Sequence, residues 1–111
     1  VSYTPNRGDI VRVGFNPQLG SEQSGVRPAL VMSNSRYNAK AGMMLCCPIT
    51  SSVKGYSTEI TLPLGLQTVG VVLSSQIRAM DWRVRAPEFV EAVPETLLER
   101  TLDVLFALME S

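Results

Sequence analysis

Apolar and polar positions alternate along most of this chain in short stretches, each closed by glycine, proline, asparagine or serine. After an Arg7-Gly8-Asp9 turn, Ile10-Val11-Arg12-Val13-Gly14-Phe15 alternates as a half-buried strand does. Pro28 opens Ala29-Leu30-Val31-Met32, which reads as a central strand with proline tolerated as its first residue. Ser33 to Lys40 reads as a capped helical turn closed by Gly42. Met43 to Ile49 is continuously apolar and of strand length, which predicts burial on both faces. Thr50-Ser51-Ser52 ends that run in hydroxyls, and Lys54-Gly55-Tyr56 makes the next turn. Glu59 to Leu62 predicts a strand, as does Val69 to Leu73 continuing through Arg78, and Arg83 to Val93 predicts one more, broken at Pro87. Only the last stretch changes period. Pro94 suits the first position of a helix, and Glu95 to Met109 fits one. Leu98, Leu102, Leu105 and Met109 line one face of it, and Glu95, Glu99 and Asp103 step along another.

Five or six short strands, a brief helix between two of them and a C-terminal helix predict a mainly β domain with flanking helices. A small, strongly bent antiparallel sheet or barrel accommodates that order. At 111 residues the chain makes one domain, 1–111, with room for a single core. It carries no internal repeat, linker or low-complexity tract.

A hydrophobic share of 45% with 18% charged residues argues for a folded chain rather than a disordered one. No apolar run approaches the ~20 residues that span a bilayer. The first seven residues lack the basic-then-apolar layout of a secretory signal, so a soluble, cytoplasmic protein is expected. There is no histidine, which excludes Ser-His-Asp and Cys-His hydrolases and a two-histidine ribonuclease. Cys46 and Cys47 are neighbours on a strand and point to opposite faces, so a bridge or shared metal is disfavoured and buried free thiols are expected. No metal or other cofactor is expected. Net charge is zero, yet residues 1–87 carry nine basic against four acidic side chains, and residues 88–111 carry six acidic against one basic. A basic body with an acidic C-terminal segment can present a positive face to a polyanion, or spread its charge evenly.

The chemistry concentrates in Gly20-Ser21-Glu22-Gln23-Ser24-Gly25-Val26-Arg27, a polar loop that ends at the mouth of the Pro28 strand. A loop of about ten residues is long for a hairpin connection, and long loops on small domains often carry function. Arg27, beside a carboxylate, hydroxyls and an amide, is placed to hold a phosphate in its guanidinium fork. The same residues also fit a plain connection whose arginine reaches solvent.

Taken together, Arg7-Gly8-Asp9-Ile10-Val11, the Gly20–Val31 stretch, Tyr37-Asn38, Cys47-Pro48-Ile49-Thr50, Lys54-Gly55-Tyr56, Ser75-Gln76-Ile77-Arg78 and Trp82-Arg83 resemble the MazF/PemK-type toxins of bacterial toxin–antitoxin pairs, including the ChpB branch. The resemblance implies an SH3-like barrel of the CcdB/PemK type with a C-terminal helix, assembled as a homodimer. It implies a metal-independent, sequence-specific endoribonuclease that cuts single-stranded RNA, chiefly mRNA, leaving a 2′,3′-cyclic phosphate and a 5′-hydroxyl. A cognate antitoxin would block the RNA groove. By motif, the family's essential arginine and threonine fall on Arg27 and Thr50. Two positions depart from relatives: Ser75 replaces an Asp common before the glutamine at Gln76, and Ser21 replaces a histidine used by one branch.

In-line attack by a ribose 2′-OH needs a proton acceptor, a proton for the departing 5′-oxygen and stabilisation of charge on phosphorus. Arg27 suits the last role, Thr50 can donate a hydrogen bond to a phosphoryl oxygen, and Glu22 is the loop's candidate acceptor. Ser21, Gln23, Ser51, Lys54, Gln76 and Arg78 would contact phosphates and base edges, since unpaired bases are read through splayed edges and stacking. Two other readings share the expected barrel: a CcdB-like gyrase poison, and a non-catalytic SH3-like module that binds a peptide or protein.

Overall fold

A computed structural model describes residues 3–16, 20, 22–23 and 25–110. Its seven strands are β1 (Asp9–Gly14), β2 (Val26–Val31), β3 (Met43–Thr50), β4 (Glu59–Thr61), β5 (Val71–Leu73), β6 (Arg78–Asp81) and β7 (Glu88–Ala92). They form one sheet in the order β4-β5-β3-β2-β1-β7, with β6 also paired to β3. All pairings are antiparallel. Helices α1 (Ser35–Ala41), α2 (Trp82–Arg85) and α3 (Glu95–Met109) flank the sheet, giving the mainly β, barrel-like domain that the pattern predicts.

Alternation along the strands feeds two cores. Ile10, Leu30, Cys47 and Ile49 join Leu97, Leu98 and Leu105 of α3 in one. Val11, Val13, Phe15, Ala29, Val31, Met44 and Cys46 make the other. The apolar run of β3 is therefore buried on both faces from Cys46 onward, as expected, while Leu45 nearer its start is exposed. Both cysteines are free, and burial pushes each thiol up to about 12.

Several local expectations need correction. β2 begins at Val26, so Pro28 is its third residue and not its first. The stretch from Val69 to Arg78 is broken by a 3₁₀ turn at Ser74–Gln76. Residues 82–85 are helical, because the Asp81 side chain caps α2 by accepting from Val84 N–H at 3.2 Å; only Glu88–Ala92 is strand. Pro94 is the N-cap of α3, with extended backbone, and not its first helical residue. The buried stripe of α3 runs through Leu97, Leu98, Thr101 and Leu105, which leaves Met109 exposed.

The two prolines of the inner strands set the shape of the sheet. Met32 N–H donates to Leu45 O at 2.8 Å, and β2 pairs β3 as Leu30↔Cys47 and Ala29↔Pro48. Hydrogen-bonded pairs on this ladder alternate, so the next one falls at Pro28, which has no N–H to give. Pairing accordingly stops at Ala29. By the same alternation Pro48 presents its missing donor to the opposite edge of β3. There it sits between the segment paired to β6, which ends at Cys46, and the segment paired to β5, which begins at Ile49. The 3₁₀ turn joins β5 to β6 across that gap.

Candidate functional site

Extending the β2–β3 register two residues past its last pair sets Arg27 opposite Thr50. Pairing between β2 and β3 stops short of this position, while Arg27 stays paired to Val13 of β1 and Thr50 to Val71 of β5, and a cavity of about 460 Å³ opens there. Arg27 and Thr50 both line it, with Gln23, Ser52, Lys54 and Gln76 around them. Arg27 is half-buried. Thr50 is only 6% exposed, and its Oγ1 accepts from Ser52 N–H at 3.1 Å. A hydroxyl held this way keeps its own proton to donate. Gly70, with φ +119°, lies against it, and a Cβ there would overlap the Thr50 carbonyl. Only glycine lets the start of β5 come that close.

The loop before β2 is closed at its base. Phe15 N–H donates to Gly25 O (2.9 Å), Gly25 N–H to the Asn16 side chain (3.2 Å), and the Arg85 guanidinium to Gly14 O (2.6 Å) and Asn16 O (2.9 Å). Gln23 N–H donates to the Gln76 side chain at 3.2 Å, which ties the loop to the 3₁₀ turn. Gln23 Oε1 is buried with no protein partner.

A second cavity of about 230 Å³ adjoins the first, and Gln23, Ser75 and Gln76 line both. Glu22 and Arg78 belong to this one, together with Phe15 and Pro48. The Arg78 guanidinium lies 5.8 Å from the centre of the Phe15 ring, within cation–π range. Ser51 lines a third cavity, of about 420 Å³, which Arg27 also borders. The structure thus brings together Arg27, Thr50, Gln23, Lys54 and Gln76, places Glu22 and Arg78 next door, and puts Ser51 on the other side of Arg27. Ser21 lies outside the described residues.

Sequence reading missed Ser52, Glu59 and a role for Ser75 in the cavity wall. Glu59 lines the main cavity, where its carboxylate accepts from Lys54 N–H (3.2 Å) and Gly55 N–H (2.9 Å) and so shapes the turn that carries Lys54. An acid a few residues after a Lys-Gly turn was the available signal. Tyr37-Asn38 and Trp82-Arg83 prove structural: Asn38 is fully buried, Trp82 Nε1 donates to its carbonyl (2.9 Å), and Arg83 donates to Ala39 O.

A cationic fork, a hydroxyl donor and several amides around an open cavity are equipment for a phosphodiester. No cluster of metal-ligating side chains occurs among the described residues. The fold is a small barrel-like β domain with this polar cavity at the loop-strand junction. The chain belongs to the family described as PemK-like, MazF-like toxin of type II toxin–antitoxin system, whose model matches residues 6–109. It is 47% identical over 83 residues to the endoribonuclease toxin MazF of Escherichia coli K12, covering 75% of this chain and 74% of that protein. It is 39% identical over 110 residues to the endoribonuclease toxin ChpB of the same strain, covering 94% and 93%. The crystal structure of MazF from Deinococcus radiodurans superposes with a TM-score of 0.93 at 44% identity, over 97% of this chain and 98% of that one. A MazE–MazF complex from the same organism contains a similar chain, with a TM-score of 0.88 at 44% identity over 97% of each.

Proposed function

We propose that this protein is an endoribonuclease toxin that cuts single-stranded RNA in the cytoplasm by in-line attack of a ribose 2′-OH on its own phosphodiester. The observation that carries this reading is the placement of Arg27 and Thr50 on one cavity, where β2 and β3 cease to pair with each other. Relatives named as endoribonucleases support RNA cleavage over a gyrase poison or a peptide-binding module.

In the proposed step the 2′-oxygen bonds to phosphorus and gives its proton to Glu22. The bond from phosphorus to the 5′-oxygen breaks, and that oxygen takes a proton from water to leave as a 5′-hydroxyl. Arg27 and Thr50 meet the charge that builds on the phosphoryl oxygens. The nucleophile is internal to the substrate, so no metal-bound water is required. Glu22 is favoured over Glu59 as acceptor because Lys54 and Gly55 N–H groups already occupy the Glu59 carboxylate. Gln23, Gln76, Lys54, Arg78, Ser51 and Ser21 supply contacts to phosphates and bases. The active form is a homodimer, and a cognate antitoxin covers its groove; the similar MazF chain that is found in complex with MazE supports such a partner.

The test is incubation of the purified protein with a long single-stranded transcript, followed by end-group analysis. Discrete fragments with 2′,3′-cyclic phosphate and 5′-hydroxyl ends, formed at the same rate with EDTA, are expected. An intact transcript, 5′-phosphate ends or abolition by EDTA would refute the reading.

A further inference from the structure

Arg27 borders two cavities, and the mechanism above uses one of them. The other, of about 420 Å³, has an apolar floor that includes Ile49 and Val90. Its rim is polar: Arg12, Arg27, Ser51 and Gln67. Its volume falls within the usual range for small-ligand sites. Arg12 comes from the middle of β1, on the same face as Ile10, where Ile10 is fully buried but Arg12 is exposed. Arg12 thus sets a second guanidinium beside the cavity. Glu88 faces Arg12 across the β1–β7 register but does not line the cavity. The rim is also held in place. Glu91 accepts from Gln67 N–H (2.9 Å), Thr68 N–H (2.8 Å) and Thr68 Oγ1 (2.7 Å), which fixes the segment opposite Arg12.

We propose that this cavity is a nucleotide subsite for the residue flanking the cleaved linkage, with Arg12 binding the neighbouring phosphate and Gln67 and Ser51 facing the sugar or base. The inference rests on the endoribonuclease reading and extends it: Arg27 and Arg12 line one cavity, the first serving the cleaved phosphate and the second a neighbouring phosphate that is only held. Such a contact contributes to substrate binding and not to the bond-breaking step, so its loss raises KM and leaves kcat in place.

The experiment compares wild type, Arg12→Gln and Arg12→Lys on three oligoribonucleotides: one extending well past the cleavage site on both sides, and two cut back next to it, one on the 5′ side and one on the 3′ side. On the long substrate Arg12→Gln is expected to raise KM by about tenfold or more, the loss of a charge-assisted contact, with kcat unchanged. The slope of log KM against log salt should shrink by about 0.7, the share of one single-strand phosphate contact, and Arg12→Lys should restore that slope. On one truncated substrate, the one lacking the held phosphate, wild type and Arg12→Gln should behave alike. Equal KM and salt slope for wild type and Arg12→Gln on the long substrate, or an equal penalty on all three substrates, would overturn the subsite while leaving the nuclease reading intact. Failure of the wild type to cut any of them would remove both.

Discussion

Two polar constellations stand in this small domain, and they differ in how their hydrogen bonds close. Around Asn38 the account is complete. Its Nδ2 donates to Pro5 O (2.8 Å) and Ser33 O (3.1 Å), its Oδ1 accepts from Ser33 Oγ (2.6 Å), and Ser33 Oγ in turn accepts from Leu45 N–H (2.8 Å). At the cavity that Arg27 and Thr50 line, one group is left over: side chains of both signs surround it, and Gln23 Oε1 is buried without a protein partner. Both constellations belong to motifs that mark the family. The first ties the N-terminal segment, α1 and α2 together; the second leaves Gln23 Oε1 over for a ligand. Buried polar groups satisfied within the protein specify a structure, whereas those left open at a cavity specify a function.

The sharpest break in that contrast comes from Arg27→Ala. Cleavage of a long RNA should fall by at least about 10²-fold, while the melting temperature should move by less than about 4 °C. Calorimetry beside a fluorescence cleavage assay checks both, and a large loss of stability would place Arg27 in the structural set. Gly70→Ala should come next. The added methyl displaces the Thr50 carbonyl, and misplacing a reacting group costs up to about 10²-fold in rate. Single-turnover rates on the folded fraction measure it, and an unchanged rate would show that Thr50 tolerates the shift.

Asn38→Ala should invert the pattern. Leaving its buried partners unsatisfied should cost about 2–4 kcal/mol by urea unfolding, with the rate per folded molecule close to wild type. The smallest effect concerns pH. Burial works to raise the pKa of Glu91, but hydrogen bonds from Gln67 N–H and from the Thr68 side chain and N–H hold it below the usual carboxylate range. A carboxyl depressed in the folded state contributes stability that is present above its unfolded value and lost as pH falls through its folded value. The urea midpoint should therefore decline on acidification, and slightly less steeply in Glu91→Gln.

Much of this was legible in the chain, because local rules govern it. The strand at β3, the capped turn of α1 closed by Gly42 and the existence of α3 follow from period and capping, although the stripe α3 buries is shifted from the one expected. The breaks were harder. Nothing local distinguishes a strand running through Ser74–Gln76 from a 3₁₀ turn there; the turn arises because β3 changes partner at Pro48, a fact of pairing. Arg27 and Thr50 could be singled out by residue type and family likeness, but their meeting depends on register, which the proline at position 28 both continues and interrupts. Arg12, sitting mid-strand as an ordinary exposed charge, gave no sign of the cavity it borders.

The central claim is that Arg27 and Thr50 act as a unit on one scissile phosphodiester. A double-mutant cycle tests it most directly, with Arg27→Ala, Thr50→Val and the combination measured in single-turnover cleavage of the same RNA. If the two groups serve the same charge, the double variant should be about as slow as the slower single variant. Rate losses that simply multiply would mean the two side chains act independently, and the account built on their convergence would be wrong.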